Sequence, residues 1–161
     1  MIRIDKNDFL PMERFGRAWR FTDELWNKIP TQEKTKIQPL RPEKAVELQQ
    51  RSLTLPGARE TDIGEYDLVC WTDASWKKGL SVRIWLWDLP TGREQEIYVS
   101  WDANDAVVTQ WSVFCDYRDD FCYPGSDDVS VWPPSGEWAM FYSHHEKLRF
   151  VRPTSPRYRP Y

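Results

Sequence analysis

From Tyr66 onward the hydrophobic period of the chain drops to two, and this constrains the fold more than any other feature of the sequence. Tyr66, Leu68 and Cys70 alternate with Asp67, Val69 and Trp71. Val82, Ile84 and Leu86 alternate with Arg83, Trp85 and Trp87, and Ile97, Val99 and Trp101 with Glu96, Tyr98 and Ser100. Successive side chains of a strand point to opposite faces, so each run predicts a strand with one face on a core. Residues 88–94 predict a hairpin loop between the second and third runs, with Gly92 available for a positive φ. Three further strands are expected at Asp128–Trp132, Glu137–Ser143 and Lys147–Arg152, joined by Pro-Pro-Ser-Gly and His-His-Glu-Lys turns.

Elsewhere the pattern is helical. Thr22 and Asp23 are cap candidates for a helix that stops before Pro30, and Thr31 for a short turn through Lys36 that Pro39 closes. The clearest helix covers residues 42–52. Pro42 suits its first position, Glu43 and Arg51 complement the two ends of its dipole, and Ala45 and Leu48 face the core. Residues 53–65 read as a loop. Residues 102–122 return to helical spacing, with Val107, Trp111, Phe114, Cys115, Phe121 and Cys122 along one side, Asn104 or Asp105 as cap, and Pro124-Gly125 as the stop. On such a helix Cys115 and Cys122 would be about 10 Å apart, too far for a mutual disulfide. The expected class is α+β, an antiparallel sheet of five or six strands covered by N-terminal helices and one mid-chain helix. Residues 1–152 would form one domain and the Pro-rich residues 153–161 a tail.

The net charge of −3 hides its distribution. Residues 1–59 carry 12 basic and 8 acidic side chains, residues 60–132 carry 5 and 15, and residues 133–161 carry 5 and 2. A segment of net −10 is a local acidic field suited to a cationic partner. It disfavours nucleic acid as a direct ligand, since phosphate binding needs the opposite sign. Ten tryptophans can build a dense core and leave aromatic area for an interface. Three cysteines without a C-x-x-C, no basic-then-apolar leader and no membrane-length apolar run point to a reduced, cytoplasmic location away from membranes. Neither G-x-S-x-G nor a P-loop occurs, and no cofactor is expected.

Two clusters invite a chemical reading. Asp119 and Asp120 would fall in the last turn of the mid-chain helix, where each carboxylate opposes the macrodipole by about 0.3–1 kcal/mol. A role other than helix stability follows, unless Arg118 neutralises one of them. Asp127 and Asp128 suit a turn before a strand. A two-metal hydrolytic site would need such acids on rigid elements about 4 Å apart around its ions. His144, His145 and Glu146 are weak metal-ligand candidates: neighbours in a strand diverge, so they could share an ion only from a turn, and no H-E-x-x-H is present.

Trp101-Asp102, the run Ala106–Trp111 and the stretches 114–133 and 137–150 resemble a group of small bacterial proteins, many of which look like immunity proteins of polymorphic or contact-dependent toxin systems. Members tend to show a strand ending in Trp-Asp, a helix ending in an acidic-aromatic segment like Asp119-Asp120-Phe121, a Ser-Asp-Asp turn, and a hairpin with His-Glu at its tip. Arg118 replaces an expected aromatic residue, and Lys147 follows a doubled His in place of a second acid. The resemblance spans about 50 residues and carries no catalytic motif. It implies a protein that is not an enzyme and that binds and neutralises a cognate toxin domain, such as a basic nuclease. Asp119, Asp120, Asp127 and Asp128 would supply the electrostatic patch, and Trp85, Trp87 and Tyr123 the aromatic anchors. Two alternatives stand beside it: a metal-dependent hydrolase using the aspartates with His144 or His145, and a carbohydrate- or peptide-binding module using exposed Trp rings.

Overall fold

A seven-stranded antiparallel sheet organises the computed structural model, which describes residues 2–25, 28–59 and 66–153. In chain order the strands are β1 (Gln38–Pro39), β2 (Tyr66–Asp73), β3 (Glu96–Ser100), β4 (Ala106–Gln110), β5 (Val129–Trp132), β6 (Ala139–Ser143) and β7 (Lys147–Pro153). The helices are α1 (Trp19–Thr22), α2 (Thr31–Lys34), α3 (Pro42–Ser52), α4 (Gly79–Asp88), α5 (Trp111–Asp116) and α6 (Arg118–Phe121). Across the sheet the strands run β1-β4-β3-β5-β6-β7-β2. The class is α+β, as the sequence predicts, with one or two more strands than expected.

Both faces of the central strands are buried, and register explains how. Val107, Val99, Val131, Met140, Phe150 and Cys70 pair strand to strand in one row. That row belongs to the larger core, which also takes Phe21 of α1, Val82 and Leu86 of α4, Phe114 of α5 and Phe121 of α6. The opposite face carries Tyr98, Val108, Trp132, Ala139 and Val151, covered by Ala45 and Leu48 of α3. Complete burial of a leucine such as Leu48 stabilises by about 1.5–3 kcal/mol, so α3 holds its face of the sheet largely through that residue. Its start is as predicted, with Pro42 in the first turn and Arg51 in the last.

Four local readings are corrected. Residues 79–88 form helix α4 and not a strand, so residues 88–94 connect a helix to β3 and are no hairpin. Val82, Leu86 and Leu89 are buried at i, i+4 and i+7, whereas Ile84 is 53% exposed. The alternation Val82/Ile84/Leu86 is a coincidence inside a helical stripe, and tertiary packing overrides the strand preference of Val, Ile and Trp. Residues 106–110 are strand β4 and not the start of a helix. With every residue from Ala106 to Thr109 buried, the strand has no polar face and shows no period of two. The turn before it is made by Asp102, whose Oδ1 accepts the backbone N–H groups of Asn104 (2.8 Å) and Asp105 (2.9 Å), so neither of those residues caps a helix. The mid-chain helix therefore shrinks to α5 and α6, separated at Tyr117 (φ −125°, ψ 29°).

At the N-terminal end, the helix expected from Thr22 forms earlier, as α1, and ends at Thr22; Trp26 and Asn27 lie outside the described residues. Thr31 is the first residue of α2 and makes no cap. Residues 60–65 of the expected loop and 154–161 of the expected tail also lie outside the described residues. Cys115 and Cys122 are free and buried, and burial pushes both thiols well up.

Candidate functional site

The break at Tyr117 reverses the position of the first acid pair. Asp119 and Asp120 stand in the first turn of the four-residue α6, not in the last turn of a long helix, so the macrodipole no longer opposes them. Asp119 is exposed and forms an ion pair with Arg118 at 2.7 Å, while Arg118 is itself buried and donates its other terminal nitrogen to the carbonyl of Ala74 at 3.0 Å. The same arginine that departs from the aromatic pattern thus pins α6 to the end of β2. Asp120 is half-buried. Desolvation, and then the charge of Asp119, push its carboxyl up to about 6, against the opposing charges of Arg20 and Lys34.

The second acid pair divides. Asp127 is buried and lies within a charge cluster that the sequence reading missed. Arg20 donates both terminal nitrogens to its carboxylate at 2.5 and 3.1 Å, Tyr123 donates its backbone N–H at 2.9 Å, and Arg17 approaches to 3.6 Å. Arg17 also pairs with Asp102 (2.8 Å) and Asp105 (3.0 Å). The guanidinium of Arg20 lies 4.0 Å from the centre of the Tyr123 ring, and that of Arg17 5.5 Å from Trp101. Burial works against the Asp127 carboxylate, but the hydrogen bonds from Arg20 and Tyr123 and the arginine charges outweigh it and hold it below the usual carboxylate range. A Cβ on Gly16 would come within 2.9 Å of Asp105 Oδ1, so glycine lets the N-terminal segment close on the cluster. Asp127 therefore anchors the fold and presents no charge to a partner.

Asp128 is exposed and faces the β6–β7 turn. Its Oδ1 accepts the backbone N–H of His144 and contacts His144 Nδ1, both at 2.9 Å. The rings of His144 and His145 lie 4.0 Å apart, and Glu146 turns the chain with φ +59°. Among the described residues no three His, Cys, Asp or Glu side chains converge as a metal-holding group.

The aromatic anchors are likewise redistributed. Trp85 packs partly buried against the core, and Trp87 donates its indole N–H to Asp116 (3.0 Å) beneath the Arg93 guanidinium. Both belong to α4, whose Leu80 and Arg83 line a pocket with Asp116 and Asp119. Tyr123 remains, and Trp19 joins it: their rings meet edge to face at 5.3 Å, with Trp19 50% exposed. The charges of Asp120 and Asp23 reach the Tyr123 phenol, which burial first and these acids second push up. One surface thus collects Trp19, Tyr123, Asp23 and Asp120, with Asp119 at its edge, paired to Arg118 and lining a pocket with Leu80 and Arg83 of α4. Trp19 was legible only as an apolar residue between two arginines, Arg17 and Arg20, which the charge-segment count could have matched to the acidic stretch. Trp71 and Trp76 are also largely exposed, on other parts of the surface.

No known family model, curated protein or solved structure matches the chain. Among the described residues no helix is long and apolar enough to cross a membrane.

Proposed function

We propose that this chain is a cytoplasmic immunity-type protein that acts by binding, not by catalysis, and neutralises a cationic toxin domain, a basic nuclease being the best fit. The observation that carries the reading is the surface around α6: the Asp120 carboxylate, with the exposed Asp119 next to it in the same turn, near an exposed Trp19 packed on Tyr123. Interfaces of this kind combine aromatic anchors with complementary charge, the first giving affinity and the second on-rate and partner choice. Asp120 supports it further. A carboxylate kept half-buried beside another acid works against folding, and a cation closing over it would relieve that strain. A cavity of about 430 Å³ lined by Phe9, Met12, Phe21 and Ile37 lies next to this surface through Lys34, and can take an apolar side chain of the partner.

The test is coexpression with the product of the adjacent gene, followed by calorimetry. The expected result is a complex whose affinity falls at least about tenfold between low and moderately high salt. Asp119→Asn with Asp120→Asn should weaken it by a further one to two orders of magnitude, and Asp128→Asn far less. Lack of any complex, or one indifferent to both changes at α6, would refute the reading.

A further inference from the structure

On the α3 side of the sheet, the register sets Ala106, Ser100, Ser130, Phe141, Arg149 and Trp71 in one row across six strands. Helix α3 packs mainly on the β4 and β3 end of this face, over Tyr98 and Val108, and its last turn reaches further with Gln49 and Ser52. Beyond it opens a cleft of about 360 Å³, large enough for a small organic molecule. The floor includes Ser100, Ser130, Ser143 and Phe141, with Lys147 and Arg149 on one side and Asp128 on the other.

Three features distinguish this floor from the rest of the face, which is apolar. Ser100, Ser130 and Ser143 come from three different strands, and among the described residues none of their hydroxyls has a side-chain hydrogen bond. Ser100 is only 3% exposed as a residue and lines the cleft. Arg149 lies 5.4 Å from the Phe141 ring centre, which orients its guanidinium, and Lys147 forms no ion pair among the described residues. Asp128 is held through Oδ1 by His144, leaving its other oxygen to accept from something else.

We propose that this cleft binds a small hydroxylated organic anion. Lys147 takes the anionic group with the positive charge of Arg149 beside it, and the three serines with Asp128 take the ligand's own hydroxyls. Neither a bare anion nor a neutral polyol uses both halves of the lining. The site is independent of the α6 surface and of any toxin partner.

The experiment is amide NMR titration of the full chain with ribose 5-phosphate, glucuronate, neutral ribose and inorganic phosphate. Saturable shifts confined to Ser100, Ser130, Ser143, Lys147 and Arg149 are expected with at least one of the first two. Which of the two binds tighter separates a phosphate ester from a carboxylate, and either supports the site. Lys147→Gln, an exposed and structurally neutral change, should weaken binding about tenfold, and Ser130→Ala a few-fold. Equal responses to inorganic phosphate, shifts scattered over the surface, no response to either hydroxylated anion, or unchanged binding in Lys147→Gln would overturn the proposal.

Discussion

Removal of the Asp127 carboxylate should be the most damaging single change on the chain's acidic segment, although the residue lies in a sequence that reads as turn. Asp127 and Arg20 side chains are 3% and 4% exposed, and their contact is bidentate. An exposed pair would contribute about 0–1 kcal/mol, but breaking a buried pair by deleting one partner costs about 3–5 kcal/mol, because the other charge loses the close partner that offset its burial. Asp127→Ala also orphans the backbone N–H of Tyr123. Arg17 keeps Asp102 and Asp105, so the loss falls mainly on Arg20, on which the more distant charges of Asp105 and Asp120 still act. A total near 4 kcal/mol corresponds to a urea midpoint about 2 M lower for an m-value near 2 kcal/mol/M, or a Tm lower by about 8–16 °C.

The pH dependence carries a sign. The Asp127 carboxyl is depressed in the folded state, so its contribution is present above the unfolded value of about 3.9 and disappears as pH falls through the lower folded value. The gap between the native chain and the variant should therefore be full at pH 6–8 and close below about pH 4. Arg20→Met combined with Asp127→Leu should recover much of the loss, since an apolar pair of similar volume needs no desolvation. A single-variant loss under about 1 kcal/mol, or a double variant no better than Asp127→Ala, would refute the reasoning.

Asp120→Asn should behave in the opposite sense. Its carboxyl is raised to about 6, so its ionisation costs stability that builds between the unfolded value of about 3.9 and about 6 and is full above it; the variant should match or exceed native stability at pH 7–8, with the difference fading as pH falls from 6 towards 4. Urea midpoints at several pH values check this, and a variant clearly weaker at pH 8 would contradict it. In α4, Leu86→Ala should cost about 2–5 kcal/mol and Ile84→Ala under about 0.5 kcal/mol; equal costs would favour a strand over the helix. Gly16→Ala should cost about 1–3 kcal/mol by pressing on Asp105, and an unchanged denaturation midpoint would show that the loop yields freely.

Helix α3 and strands β2, β3, β5, β6 and β7 were legible because each is amphipathic or bounded by turn residues. The candidate site was legible only as composition: acids and aromatics crowd residues 114–132, and that crowding is where the surface formed. What the letters could not say is which acids face water. Asp127 and Asp119 look alike in sequence, yet one meets Arg20 from 107 residues away and the other meets solvent.

The same division holds for the whole chain. Local chemistry alone determined the α+β class, the punctuation by proline and glycine, and the opposite charge of the first 59 residues and the following 73, because these depend on residue types and near neighbours. The tertiary structure decided that 79–88 is a helix, that 106–110 is a strand, and that much of the opposite charge is spent internally between Arg17, Arg20 and three aspartates. Those outcomes rest on burial on both faces of a central strand and on partners far apart in sequence, neither of which leaves a local period to read.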